Sequence, residues 1–201
     1  MISVRRLALL FGILGTMTAC ATSRGRACRD TTDPAELGRL SQGVDSTVNA
    51  LRIAPDSQAV WLRQYMQAMV DRTAALDGCG RVATANDLRT AAKLGLDATV
   101  LGLPTVERAY AWARRAVMAD SSDRRSWRLM ATAWDQMQVL KNRPQWFATI
   151  ISCAPPADGK CVLPATDSTR VTDPQRVELG LHTLVQQRAT VDSLNRARGR
   201  P

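Results

Sequence analysis

The chain has 201 residues, 45% of them hydrophobic and 22% charged, with 27 Lys and Arg against 18 Asp and Glu. That size fits one domain with an appendage, and the balance of apolar and charged residues excludes a disordered polyelectrolyte. Twelve Gly and nine Pro are too few for collagen or a low-complexity linker.

The chain opens with Arg5 and Arg6, the apolar run 7–14, and small residues leading to Cys20. Eight apolar residues in a helix reach roughly 12 Å, far short of about 30 Å of bilayer hydrocarbon, so the segment reads as a secretory signal over residues 1–19. The tetrad Met17-Thr18-Ala19-Cys20 resembles the bacterial lipobox, which implies cleavage before Cys20 and acylation of that residue. Several acyl chains make such an anchor effectively stable. Ala21 stands where an inner-membrane retention signal would carry Asp, so the expected location is the cell envelope, at the outer membrane facing the periplasm. Val4 and Ala8 fit the twin-arginine route poorly. Residues 20–32 are expected to form a tether and 33–201 a single domain.

Removal of residues 1–19 leaves 25 basic and 18 acidic side chains, a net charge of +7. Arg outnumbers Lys by 24 to 3, but the arginines are dispersed along helices without aromatic interleaving, which is not a nucleic-acid footprint. They read as solvated helix faces, with the tail Arg196 to Arg200 the best candidate for weak attraction to anionic head groups. Four cysteines remain beside Cys20. An even number in an oxidising compartment reads as two disulfides. Cys153 and Cys161 enclose a short turn-rich loop and pair with each other, which leaves Cys28 for Cys79. Zinc is disfavoured, since there is one His and no Cys-x-x-Cys, and no metal or cofactor is expected.

Apolar spacing predicts a first helix over 34–53, capped by Asp33 with Glu36 in reply, with Leu37, Leu40, Val44, Val48 and Leu51 inward. A second runs from Pro55 to Gly78 on Leu62, Met66, Met69, Thr73 and Leu76. The third covers 86–101 on Leu88, Ala92, Leu96 and Val100. A fourth covers 106–119 on Val106, Tyr110, Ala113 and Val117, and a fifth 123–141 on Trp127, Met130, Trp134 and Met137. Helices of this length joined by short turns pack as antiparallel hairpins, in a bundle or a tetratricopeptide-like array. Ala109, Ala113 and Ala116 allow close approach in the pair 106–141, but no strict repeat is visible, and the Trp and Met stripe reads as core rather than a ligand groove.

After Pro144 the period changes. The bulky run 146–151 and the segment 161–163, with a turn at Asp158-Gly159, predict a disulfide-closed β-hairpin over 146–163. Helix resumes at Asp173, stops at Gly180 and starts again near Thr183, with Leu184, Val191 and Leu194 inward. The expected fold is therefore mainly α, with helices over 33–119 and a second region over 120–195.

That second region carries a resemblance. The run Trp134-Asp135-Gln136-Met137, then 142–149 (Asn-Arg-Pro-Gln-Trp-Phe-Ala-Thr), then Asp158-Gly159, Asp167, Arg170, Asp173, Arg176 and Leu179-Gly180-Leu181 is similar to the bacterial domain-of-unknown-function family 6624. That family's pattern is an aromatic-Asp-Arg on a helix, a Gly-Lys-Pro-Gln-x-Tyr-Gly-Thr-Gln segment, a short hairpin, and a closing Asp and Arg before Leu-Gly-Leu. Here Gln136 replaces Arg, Asn142 and Ala148 replace the two Gly, Phe147 replaces Tyr and Ile150 replaces Gln. The resemblance implies a fold and carries no assigned chemistry.

Asp135, Gln145, Thr149, Asp167 and Arg176 form the candidate polar site. In one reading they converge on a pocket where Arg176 holds an anion near the carboxylates. In the other, which is favoured, they are structural: Asp135 or Asp167 pairs with Arg176, and Gln145 satisfies backbone groups. Catalytic residues are not assigned. His182 lacks a nucleophile and an orienting acid, and the Ser and Thr residues sit in no hydrolase motif. Two functions follow. One is a lipid-tethered, non-catalytic helical module that docks another envelope protein. The alternative is an envelope hydrolase cleaving cell-wall glycan or peptide through Asp135 and Asp167 with Arg176.

Overall fold

A computed structural model describes residues 28, 33–153 and 159–199. The expected signal peptide, Cys20, the tether apart from Cys28, and Asp158 lie outside the described residues. Seven α-helices occur among those described: α1 (Glu36–Leu51), α2 (Asp56–Gly78), α3 (Ala85–Asp97), α4 (Leu103–Ala119), α5 (Arg124–Leu140), α6 (Asp173–Glu178) and α7 (Leu184–Ala197). A two-stranded antiparallel ribbon, β1 (Ser152–Cys153) and β2 (Cys161–Val162), pairs Ser152 with Val162 and Cys153 with Cys161. The protein is mainly α, with a small hairpin near the C-terminus closed by the Cys153–Cys161 disulfide. None of the described helices is long and apolar enough to cross a membrane.

Local signals set the helix ends. Thr84 caps α3 in a reciprocal box, its hydroxyl accepting from the Asp87 amide at 3.1 Å while Asp87 accepts from the Thr84 amide at 3.1 Å. Thr183 and Gln186 repeat the device at α7. At α1 the reciprocal Glu expected from the sequence does something else: Asp33 takes the Ala35 amide at 2.8 Å, and Glu36 binds Arg72 of α2 at 2.6 Å. The third helix stops at Asp97, earlier than expected, and a 3-10 turn (Thr99–Leu101) leads to Gly102, whose φ of 94° few other residues adopt. The helix α4 follows at once, with Pro104 inside its first turn.

The helix α4 sits between α3 and α5, while α1 packs on both α2 and α3, as expected of helices joined by short turns. Two apolar clusters hold the array. Leu76, Val82, Leu88, Ala91, Ala92, Trp112, Ala113 and Ala116 form one. Val44, Met66, Met69, Val70, Leu94 and Ala98 form the other. The expected alanine approach is present, with Ala109, Ala113 and Ala116 fully buried. On the α3 side Gly95 lies so near that a Cβ there would stand 2.8 Å from the Ala109 Cβ.

Three inward stripes are corrected, one of them in α7, where Leu194 is exposed and Gln187 and Val191 are the buried positions. Along the expected third helix, Val100 falls in the 3-10 turn and is exposed and Leu96 is half-buried, because Leu94, Gly95 and Ala98 take the core positions. In α5, Trp127, Met130 and Trp134 are half-buried, and the buried positions are Ser126, Ala131, Ala133, Asp135, Met137 and Gln138. Small residues there let α4 approach closely, and the rings are displaced toward the rim, where Trp134 meets Tyr110 of α4 at 5.6 Å between centroids. Trp112 occupies the core instead, its indole N–H donating to Asp77 at 2.8 Å. Both expected disulfides form, Cys28–Cys79 and Cys153–Cys161.

Candidate functional site

The expected strand over 146–151 is not a strand. Its backbone groups are satisfied by side chains from three helices instead of a ladder. Asp135, on α5, is fully buried. Its Oδ1 accepts the Trp146 amide at 2.8 Å and the Phe147 amide at 3.0 Å, and its Oδ2 accepts the Thr149 amide and the Thr149 hydroxyl, both at 2.9 Å. Burial pushes the Asp135 carboxyl up, the three amides and the hydroxyl pull it back, and the net displacement is upward.

Gln145 is also fully buried and closes the same loop from within. Its side-chain oxygen accepts the Ile150 amide at 2.8 Å, and its nitrogen donates to the Ile150 carbonyl at 3.1 Å, so one amide side chain imitates a strand partner. The Gln145 main chain makes a regular contact, a parallel bridge to Thr166, with its amide on the Ala165 carbonyl at 2.8 Å and its carbonyl receiving the Asp167 amide at 2.7 Å.

Arg176, on α6, is fully buried and faces the loop's carbonyls. It donates to the Trp146 oxygen at 2.9 Å and the Phe147 oxygen at 3.3 Å. The expected ion pair with Asp135 or Asp167 does not form. Its acid is Asp173, three residues earlier at 3.0 Å, which also accepts the Leu184 amide at 2.9 Å and so ties α6 to the start of α7. Gln187 of α7 supplies the next donor, to the Ala148 carbonyl at 2.7 Å.

Asp167 stands apart from this group. Its carboxylate accepts the Thr169 hydroxyl at 2.6 Å and the Thr169 amide at 3.1 Å, and lies 3.5 Å from Arg170. The Thr169 hydroxyl and amide hold it below the ordinary carboxylate range. The structure therefore brings together Asp135, Gln145, Thr149 and Arg176, and leaves the Asp167 side chain facing a turn. The hydrogen bonds described for the four go to the chain's own backbone or to one another, apart from the Arg176 bond to the Asp173 carboxylate.

Four features here escaped sequence reasoning. Gln187 and Asp173 act on main-chain groups far along the chain, for which no local pattern exists. Arg170 lies over the Trp146 ring at 5.4 Å, and Trp146 in turn packs on Trp134 at 4.7 Å, so the cluster is roofed by a cation and two indoles. The buried Trp134 Nε1 has no hydrogen-bond partner among the described residues. Asn195 of α7 brackets the ribbon edge, accepting the Cys161 amide at 2.7 Å and donating to its carbonyl at 3.0 Å.

Grooves occur elsewhere. One of 460 Å³ lies at the α1–α2 tip, lined by Ala50, Ile53, Pro55, Trp61 and Leu62 among others, and two more polar ones border α1. Among the described residues no three His, Cys, Asp or Glu side chains are grouped to hold a metal. No protein-family model matches the chain, and no curated protein and no solved structure matches it.

Proposed function

We propose that this chain is an envelope lipoprotein, anchored by acyl chains on Cys20, whose helical domain is a non-catalytic interaction or structural module for another envelope protein. What carries the reading is the use of the buried polar groups. Asp135, Gln145 and Arg176 are enclosed and bonded to the backbone of 145–150, which is how a chain path is fixed rather than how a substrate is met. The alternative, an envelope hydrolase using Asp135 and Asp167 with Arg176, has less support. It needs two carboxylates flanking an open space, whereas the oxygens of Asp135 are filled and Asp167 is turned onto Thr169.

The resemblance to family 6624 over about residues 120–195 belongs with this reading. The two positions where that family's pattern has Gly and this chain does not, Asn142 and Ala148, have φ of 54° and 57°, and no other non-glycine residue described has positive φ. Those are backbone shapes that glycine adopts freely, so the pattern and the loop agree in physical terms. The test is in cells. The wild-type chain should take up labelled fatty acid and sediment with outer membranes, and Cys20→Ser should be released to the soluble fraction. Cross-linking from exposed positions near the ribbon, followed by gentle detergent extraction, should recover a defined envelope partner. Recovery of the protein alone would contradict the interaction role.

A further inference from the structure

The largest exposed apolar side chains of the N-terminal half gather at one place. Ile53 is 87% exposed, Trp61 61%, Val60 57% and Tyr65 48%. Trp61 and Tyr65 are stacked, their centroids 5.6 Å apart and their planes 4° from parallel, so the pair forms one apolar plate, of which Trp61 lines the groove at the α1–α2 tip. None of these residues belongs to the polar cluster; Ile53 precedes α2, and on α2 Val60, Trp61 and Tyr65 are exposed while Met66, Met69, Val70, Thr73 and Leu76 are buried.

The same helix receives the tether. Cys28 is bonded to Cys79, the residue that ends α2 and retains near-helical backbone at φ −92° and ψ 6°. Trp61 and Cys79 are separated by 18 residues, which at 3.6 residues per turn is five whole turns and about 27 Å. They therefore lie on one face of α2, with Ala68 and Ala75 between them near the same line. The charged groups bordering that line are paired: Arg72 with Glu36 at 2.6 Å, and Asp71 with Arg108 at 3.4 Å. Cys20 precedes Cys28 by eight residues, which span at most about 28 Å when extended.

We infer that this outward face of α2 lies on the bilayer that holds the Cys20 anchor, with Ile53, Val60, Trp61 and Tyr65 seated among its head groups. The inference rests on the proposed tether at Cys20, whose short leash keeps the Cys79 end of α2 against the membrane. A second contact at the other end of the helix then lays the domain flat. Residue chemistry selects the occupant. Trp and Tyr favour the head-group layer, and such surfaces enter the boundary by only about 5–10 Å, so four side chains suffice. A stable protein partner or a second copy would need some 800 Å² per side and about 20–30 residues. The chain's 27 Lys and Arg against 18 Asp and Glu give it a net positive charge that suits an anionic surface.

The experiment uses the mature chain from residue 20 with Cys20→Ser, oxidised to its two disulfides, and vesicles of phosphatidylethanolamine with a minority of phosphatidylglycerol. The unacylated chain should co-sediment with vesicles, and its tryptophan emission should move to the blue. Joint substitution Ile53→Ser and Trp61→Ser, at exposed sites where folding is unaffected, should lower partition by at least about tenfold. Trp61→Phe should retain binding while losing most of the spectral shift. Absence of partition, or equal partition of parent and double variant, overturns the inference. So does a concentration-dependent dimer abolished by the double variant without vesicle binding, because a second copy would then cover the patch. Acylation of Cys20 is read independently, from the mass of the wild-type chain made in a bacterial envelope, so either reading can fail alone.

Discussion

Substitution Asp135→Asn tests whether the buried carboxylate is a structural organiser. It alters little in volume, yet it replaces one of two oxygens that each accept two hydrogen bonds. If the new NH2 took the place of Oδ1, it would confront the amides of Trp146 and Phe147. If it took the place of Oδ2, it would confront only the Thr149 amide, since the Thr149 hydroxyl can turn and accept. The second arrangement is cheaper and still strands one buried N–H while removing two bonds to a charged acceptor, a loss of about 2–3 kcal/mol. Asp135→Ala strands all four donors and costs about 3–5 kcal/mol, whereas Thr149→Val removes one hydroxyl and costs about 1 kcal/mol. Against a total of about 5–15 kcal/mol these are large changes. With a urea dependence of about 2 kcal/mol per molar, Asp135→Asn should lower the unfolding midpoint by about 1–1.5 M. Trp134 and Trp146 flank the loop, so tryptophan emission reports the transition, and exchange of the 146, 147 and 149 amides locates it. An Asn variant within about 0.5 kcal/mol of the parent would refute the argument. One more stable than the parent would mark the carboxylate as held for activity.

Other outcomes follow from packing and charge. Gly95→Ala should destabilise by about 1–2 kcal/mol by thermal melting, because its Cβ would meet that of Ala109 at 2.8 Å, while Gly38→Ala in α1 meets nothing within 4 Å and should stabilise by about 0.5–1 kcal/mol. Joint replacement Cys28→Ser and Cys79→Ser opens a loop closed over a separation of 51 residues and should cost roughly 4 kcal/mol on the chain-entropy account, with new proteolytic cleavage before Asp33. Desolvation pushes the Asp123 carboxyl up, but the Ser126 hydroxyl, the Arg89 guanidinium and the Arg125 amide outweigh it and hold it at about 2. A folded value below the ordinary 3.8 means stability present above 3.8 and lost as pH falls through about 2. Urea midpoints measured across that window should therefore fall less steeply for Asp123→Asn than for the parent, and at neutral pH the variant should be weaker by about 1 kcal/mol through loss of its charge pair with Arg89, since Asn still caps the helix.

The helices were legible because their signals are local. Val44, Met66, Leu76, Val106 and Val117 repeat at helical spacing and are buried. Cys153 and Cys161 enclose a loop so short that their pairing needed no tertiary knowledge. What the sequence hid is what depends on a partner chosen elsewhere in the fold. Residues 146–151 have strand-like side chains, yet their amides bond to Asp135 and Gln145, so bulk alone misassigned them. On α5 the large rings outweigh Ala131 and Ala133 in any hydrophobic pattern, but a neighbouring helix selects the small residues, because distance of approach decides burial there. Four of the five candidate polar residues do meet, and the resemblance pointed to them. Which acid would hold Arg176 was not legible, since an acid three residues along the same helix competes with distant ones without changing the pattern.

Export and tethering come before every other proposed property of this chain, and intact-mass analysis of the wild-type chain purified from bacterial membranes tests them directly. The predicted mass is that of a polypeptide beginning at Cys20 and carrying its acyl chains, with no thiol reacting before reduction and four reacting after it. A species retaining residues 1–19, unacylated and with all five cysteines open to alkylation, would contradict it.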